Sequence, residues 1–269
     1  MRSVSVLEPP LSSPNVQTDD LLVMWQHPDT REIVPIGRFA RRGARYSFTY
    51  TAGAAEIVGF RPLPGLNDLH RRYESDQIPA VFDQRIMSSE RADYPEYIGT
   101  IGLTTATPWE QIVESGGRRA GDTLQFMPLP TASGGRAHAR FLANGVSHIP
   151  EAPRRLSDRE VCVTREQQES ALQSLRVGDR IRLEPEVDNP QDPSAVLLTA
   201  GGVPVGWVPR ALSKSVRELI GVAPLEAIVY RVNGPSAPFH LRLALDLDTP
   251  APAGFVFDRE GGWEPLAAQ

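Results

Sequence analysis

The chain has a single cysteine, Cys162, and a single lysine, Lys214, among its 28 basic residues. A lone thiol forms no intramolecular disulfide and makes no CxxC pair, which excludes a disulfide scaffold and a cysteine-built zinc ribbon. The scarcity of lysine reads first as codon usage and only second as selection for guanidinium chemistry. Long apolar runs are missing too. The longest, such as "LLVMW" (21–25), fall far below membrane-spanning length, and the first 20 residues lack the apolar stretch of a secretion signal. A cytoplasmic protein without a membrane partner is expected. Glycine-rich phosphate cradles are absent, since the Gly-Gly pairs at 116–117, 134–135, 201–202 and 261–262 all stand where turns or helix caps belong. A net charge of −5 excludes wholesale electrostatic attraction to DNA or anionic lipid and leaves only local patches.

The 269 residues, 41% of them hydrophobic, are enough to bury a core and suggest two domains. Residues 1–19 are polar and proline-punctuated, and a loose segment is expected there. "LLVMW", "IVPIGRF" (33–39) and "RYSFTYT" (45–51) read as an antiparallel meander, the last with Tyr46, Phe48 and Tyr50 alternating with Ser47 and Thr49. After "FRPLPG", the spacing of Ile78, Val81, Phe82, Arg85 and Ile86 predicts a helix. In "TPWEQIVESGG", Thr107 and Glu110 compose a capping box, Pro108 takes the first helical position and Gly116 the left-handed end.

From Asp122 the pattern returns to strands: "DTLQFMPL", "ARFLANGVSHI", "VGDRIRLEPEV", "SAVLLTA" and "VPVGWVP". A charged insertion at 151–174 interrupts them with a short helix. "RALSKSVRELIG" places Leu212, Val216, Leu219 and Ile220 on one helical stripe. Two further strands follow, and in the second Phe239, Leu241, Leu243, Leu245 and Leu247 alternate with His240, Arg242 and Asp246. Residues 249–269 form a Pro/Gly-rich peripheral tail with Phe255, Phe257 or Trp263 as an anchor. The expected fold class is α+β, with two mostly antiparallel β modules at 20–121 and 122–248.

Chemistry concentrates in "EVDNPQDPSAVLLTAGGVPVGWVPRAL" (186–212). Glu184, Glu186, Asp188 and Asp192 offer oxygen ligands of the kind magnesium takes, but a nuclease also wants a lysine beside its carboxylates and the chain holds only Lys214. The plainer reading is a rigid corner: Asn189 and Asp192 bond local backbone N–H groups while Pro190 and Pro193 fix the turn. A third reading is a ligand-reading loop. Arg180 and Arg182 share one face of their strand, and Arg210, Lys214 and Arg217 share one face of their helix. Either set meets phosphates or simply water, and Arg154-Arg155 in the insertion is another basic patch. His138, His148 and Cys162 have neither zinc-ligand spacing nor the signature of a nucleophilic dyad.

Two stretches resemble known families. Gly178-Asp179, Glu184 to Asp188, Asn189-Pro190-Gln191-Asp192, Ala195-Val196 and Val205-Gly206-Trp207-Val208-Pro209 stand in the order of the HIRAN domain, and "NGVSHIP" (144–150) is similar to its first strand. The resemblance spans roughly 136–247 and implies a small β-barrel with one packed helix. In HIRAN domains of fork-remodelling translocases this loop belongs to a pocket for a single-stranded DNA 3′ end. The resemblance makes Asp192 the acceptor for a terminal hydroxyl. The aromatic residue usual between Pro and Asp is Gln191 here, and a basic and aromatic pair after the first strand's glycine is Ser147-His148. Residues 20–100 are similar to the small N-terminal subdomain of HipA-type toxin kinases, through Gly37, Tyr46, Phe48, Tyr50, Pro62 and Phe82. The kinase body is missing, so no kinase activity is expected.

The sequence therefore suggests a non-enzymatic nucleic-acid-binding adaptor without cofactor or metal. Its second module reads single-stranded or damaged DNA ends through Asp192, Gln191, Asn189, Arg180, Arg182, Arg210, Lys214 and His148. Its first module docks a protein partner such as a helicase or a kinase toxin. The alternative is a HipA-type toxin–antitoxin regulator acting by protein–protein contact, and a metal-dependent nuclease ranks last.

Overall fold

The computed structural model describes residues 18–119 and 121–267, so the expectation for residues 1–19 lies outside the described residues apart from Thr18 and Asp19. β1 (Asp20–Gln26), β2 (Ile33–Arg42) and β3 (Arg45–Tyr50) form the meander. Then come α1 (Ala52–Glu56), β4 (Tyr73–Ser75), α2 (Ala80–Asp83), α3 (Tyr94–Thr100), α4 (Pro108–Ser115) and β5 (Leu124–Pro128). The second half contains β6 (Thr131–Ser133), β7 (Arg136–Leu142), β8 (Arg154–Arg155), β9 (Glu160–Val161), α5 (Arg165–Ser174), β10 (Arg180–Pro185), β11 (Val196–Ala200), β12 (Val203–Trp207), α6 (Arg210–Ile220), β13 (Leu225–Val232) and β14 (Leu243–Pro250).

The chain is mixed α and β with antiparallel sheets. A five-stranded sheet runs β4-β3-β2-β1-β5 and a seven-stranded sheet runs β12-β11-β10-β13-β14-β7-β6, while β8 and β9 make a separate hairpin. The seven-stranded ladder has two ends, so it is not a continuous closed barrel. A single bridge draws it round: Asn144, just past β7, exchanges two backbone hydrogen bonds of 2.9 Å with Trp207 at the end of β12. No helix among the described residues is long and apolar enough to cross a membrane.

β1 explains how the sheets meet. Its apolar run has no wet face because both sides are covered. Leu21 and Val23 enter a core with Phe39, Phe48, Phe82 and Trp109, whereas Leu22 and Met24 enter the core of the second sheet with Phe141, Leu198, Val216 and Leu245. Between the outer elements of the first module, Tyr50 donates its hydroxyl to Leu66 O (2.8 Å) and accepts from Leu63 N–H (2.6 Å). Burial pushes this phenol up to about 12, which keeps it a donor at neutral pH.

Three sequence expectations need correction, and a fourth is met. "DTLQFMPL", grouped with the second module, forms β5 and pairs with β1 from Leu21↔Pro128 to Trp25↔Leu124, in the first sheet. The helix expected over 78–86 is a single turn. Arg85 leaves the apolar stripe to bond Val81 O and the Asp122 carboxylate, its side chain only 3% exposed. Phe239–Leu241 is a 3-10 turn rather than strand; Phe239 is exposed and Arg242 is buried against Glu169 at 2.7 Å. The tail is anchored by its aromatics as expected, and forms a strap. Phe255, Phe257 and Trp263 are all buried in the second core, Asp258 turns the chain by accepting from Trp263 N–H, and Leu266 N–H reaches Tyr50 O at 2.8 Å.

A polar clasp joins the modules beside this shared core. From β13, Arg231 donates to the Glu114 carboxylate and to Glu114 O in the last turn of α4, both at 2.7 Å, and to Ile101 O at 2.5 Å. The helix end presents free carbonyls and partial negative charge, which suits a guanidinium. Arg231→Ala leaves Glu114, 12% exposed, without its paired guanidinium and with the Tyr230 hydroxyl (3.2 Å) as a weaker donor. Breaking such a pair is expected to lower the unfolding free energy by about 3–5 kcal/mol. Denaturant titration measures this, and adding Glu114→Gln should cost less than the sum of the single changes.

His240 supplies a pH test. Burial, helped by the nearby Arg118 charge, pushes it down to about 4, so below its ordinary value the unfolded chain takes up the proton first. Stability attached to the neutral imidazole is complete above pH 6.5 and declines toward pH 4. His240→Gln should flatten the change in melting temperature between pH 7 and pH 5.

Candidate functional site

The corner between β10 and β11 is built by its own side chains. Asn189 Oδ1 accepts from Gln191 N–H (2.9 Å) and Asp192 N–H (3.0 Å), and Asp192 Oδ1 accepts from Ser194 N–H (2.8 Å). Asp188 sits at φ 61°, in the left-handed region that lets the chain reverse. The acidic residues do not converge. Glu184 meets Arg159 and Thr199, Asp188 meets Arg155, and Asp192 caps its own turn.

Glu186 is the buried member, 3% exposed. Its Oε2 accepts from Trp207 Nε1 (2.7 Å) and Asn189 Nδ2 (2.6 Å), and its Oε1 lies 3.7 Å from Arg154. The Arg154 guanidinium also donates to His148 O and stands 4.7 Å from the centre of the Trp207 ring. Under that ring Gly145 sits at φ 62°, and a Cβ there would lie 2.5 Å from the indole. One carboxylate thus ties the corner, the β12 tryptophan and the insertion together.

These groups border a groove of about 390 Å³. His148, Asn189, Gln191, Asp192 and Arg210 all line it, together with Arg154 and Trp207. Asp192 keeps Oδ2 without a hydrogen-bond partner among the described residues, and Gln191 and His148 are exposed. Three other sequence candidates lie elsewhere. Arg180 and Arg182 occupy the exposed face of β10, in a separate depression with Glu184, Glu226 and Asp248, where Arg180 pairs with Glu226 at 3.2 Å. Lys214 pairs with Glu260 of the tail. Arg217 serves the corner itself by donating to Glu186 O and Ala195 O.

Sequence reasoning named Arg154 only as a basic patch and Glu186 only as a possible metal ligand, and it missed Trp207 and Arg31, which also line the groove. Trp207 stood in the quoted Val-Gly-Trp-Val-Pro motif, and an aromatic ring ending a strand beside an acidic loop was the available signal. Nothing local marked Glu186 as the buried carboxylate among four.

The HIRAN domain family model matches residues 158–248. This is about a third of the chain, and the match does not extend to the first module. No curated protein and no solved structure matches. The HIRAN domain is a nucleic-acid-binding module, and the matched residues carry the corner, β12 and α6. The sheet they form also includes β7, which pairs with β14 along seven residues from Leu142↔Ala244 to Arg136↔Pro250.

Glu186→Ala is expected to remove the acceptor shared by Trp207 and Asn189 and leave Arg154 without its carboxylate. An unfolding free energy lower by about 2–4 kcal/mol follows, with a shift in tryptophan emission that Glu184→Ala does not reproduce.

Proposed function

We propose that the groove binds single-stranded nucleic acid at a free end and does so without cutting it. The convergence of five sequence-nominated residues from three separate segments into one groove, within and beside the HIRAN match, is the observation that supports this reading. Arg154 and Arg210 supply positive charge for backbone phosphates. The free oxygen of Asp192 offers a strong acceptor for a terminal hydroxyl, since an ionised carboxylate bonds an O–H donor well. A phosphate in the same place would meet that carboxylate as a like charge, so an end is favoured over a continuing strand. Gln191 provides no ring on which a base could stack, and stacking would be worth about 1–3 kcal/mol per base. The other ring in the groove, Trp207, is already packed between Arg154 and Gly145, so affinity rests on charge and on hydrogen bonding.

An adaptor role, with the first module docking a helicase or kinase toxin, is part of this proposal and rests on the sequence resemblance alone. So does the barrel, which the Asn144–Trp207 bridge would close. The carboxylates of the corner each serve a separate partner, which favours binding over metal-assisted hydrolysis.

Fluorescence anisotropy with 5′-labelled single strands bearing a free or a phosphorylated 3′ end tests the reading. The free end is expected to bind more tightly, because the added dianion faces Asp192. Asp192→Asn should reduce that preference more than it reduces total affinity. Equal affinity for both ends, or magnesium-dependent cleavage abolished by Asp192→Asn, would overturn it.

A further inference from the structure

The groove has a second wall that does not belong to the second module. Thr30, Arg31, Glu32 and Ile33, from the β1–β2 loop and the start of β2, line it opposite the corner. This loop is tightly made. His27 Nδ1 accepts from Asp29 N–H (3.2 Å) and Thr30 N–H (3.3 Å), Arg31 N–H reaches His27 O (3.0 Å), and Gln26 Nε2 donates to Arg31 O (3.1 Å). Its base is the β1 strand that both cores share, so the loop is carried by a strand covered on both faces.

Two charges on this loop face the groove, and they differ in state. Glu32 is bound to Arg210 at 2.9 Å across the module boundary, with both side chains about 40% exposed. Arg31 is exposed and its guanidinium has no partner among the described residues. It also sits at φ 61°, a left-handed backbone that costs a side-chain-bearing residue and that glycine adopts freely. An unpaired arginine on a firmly bonded loop can meet an anion from a backbone position that is already set.

We propose that the nucleic-acid strand is bound between the modules, with Arg31 contacting its backbone and Glu32 holding Arg210 until a phosphate displaces the carboxylate. This inference rests on the groove reading above, and it adds that the HIRAN-matched half alone carries an incomplete site. Glu32 acts as an internal competitor: it pre-orients Arg210, and it sets a threshold that a neutral ligand does not cross. Recognition then requires charge on the strand at the Arg210 position and a hydroxyl at the Asp192 position.

The test uses the full chain, a 5′-labelled oligothymidylate with a free 3′ end, and anisotropy over a salt series. Arg31→Gly is the informative variant because it removes the guanidinium while easing the backbone. Its melting temperature is expected to stay within about 2 °C of the parent. Its affinity should fall roughly fivefold at 0.1 M salt, with the slope of log K against log salt reduced by about 0.7, the share of one single-strand phosphate contact. Glu32→Gln should tighten binding about two- to fivefold, the range of an exposed ion pair. Arg210→Ala should cost more in that background than in the parent. Arg31→Asn, which also tolerates the left-handed region, repeats the first measurement if glycine loosens the loop. Parental affinity and slope in both Arg31 variants would overturn the second wall while leaving the groove. Additive effects of Glu32→Gln and Arg210→Ala would overturn the gating pair. A parent chain that binds no strand at low salt would overturn the groove reading and this inference with it.

Discussion

β1 is the constraint on which the molecule depends. A strand with one wet face would leave the sheets as independent bodies, whereas one buried on both faces makes each core incomplete without the other. Leu21 and Val23 belong to one core, Leu22 and Met24 to the other, and these four residues are at most 3% exposed. Because side chains alternate strictly along a strand, a one-residue slip of β1 would exchange the two sets. The Val23/Met24 bulge against β2 lies inside this stretch. The strand also fixes the direction of the β1–β2 loop, which is why a piece of the first module stands over the second module's corner.

A second dependency starts at Glu186. A buried carboxylate is costly unless its oxygens are occupied, and here they hold an indole, an amide and a guanidinium that come from different segments. The desolvation of one group is offset by partners that themselves need acceptors. Such an arrangement tolerates little repacking, because removing any member exposes the others' unmet polarity. The rigidity of the corner and the shape of the groove therefore have a common origin: the residue that makes the turn stiff also sets the position of the tryptophan at its edge.

Much of this was legible from the residues. The meander, the α4 capping box, the α6 stripe and the Gly201-Gly202 hairpin turn are local devices, and local chemistry announces them. Both Gly201 and Gly202 take positive φ, as the tight turn needs. What was not legible depended on distant partners. "DTLQFMPL" has the alternation of a strand but carries no mark of which sheet it joins. Leu241 and Arg242 continue the apparent alternation of β14, yet Arg242 turns inward because Glu169 of α5 awaits it. The tail aromatics stood out as anchors amid proline and glycine, but nothing local showed that Asp258 folds the chain back onto the core. Among the nominated site residues, those on the corner converge because the turn itself gathers them. Arg180 and Arg182 do not, because a strand carries its exposed face away from the loop at its end.

The groove's mixture of charges bears on how a chain of net charge −5 could hold a polyanion. At physiological salt, charges farther than about 8 Å through solvent are largely screened, so the overall balance says little about a site a few residues wide. What counts is that cations outnumber free anions locally. Among the described residues Arg31 is unpaired, Arg154 is shared with a buried carboxylate, and Arg210 is held by Glu32, while Asp192 keeps one oxygen open. On the proposed reading, Gln191 in place of a stacking ring gives base identity little to act on, and discrimination would pass to the ends of the strand. A duplex offers many phosphates but few free hydroxyls, and a mononucleotide offers an end but little backbone. On the proposed reading, a short single-stranded terminus satisfies both walls, and the replaced aromatic would shift recognition from the base to the charge pattern of the chain end.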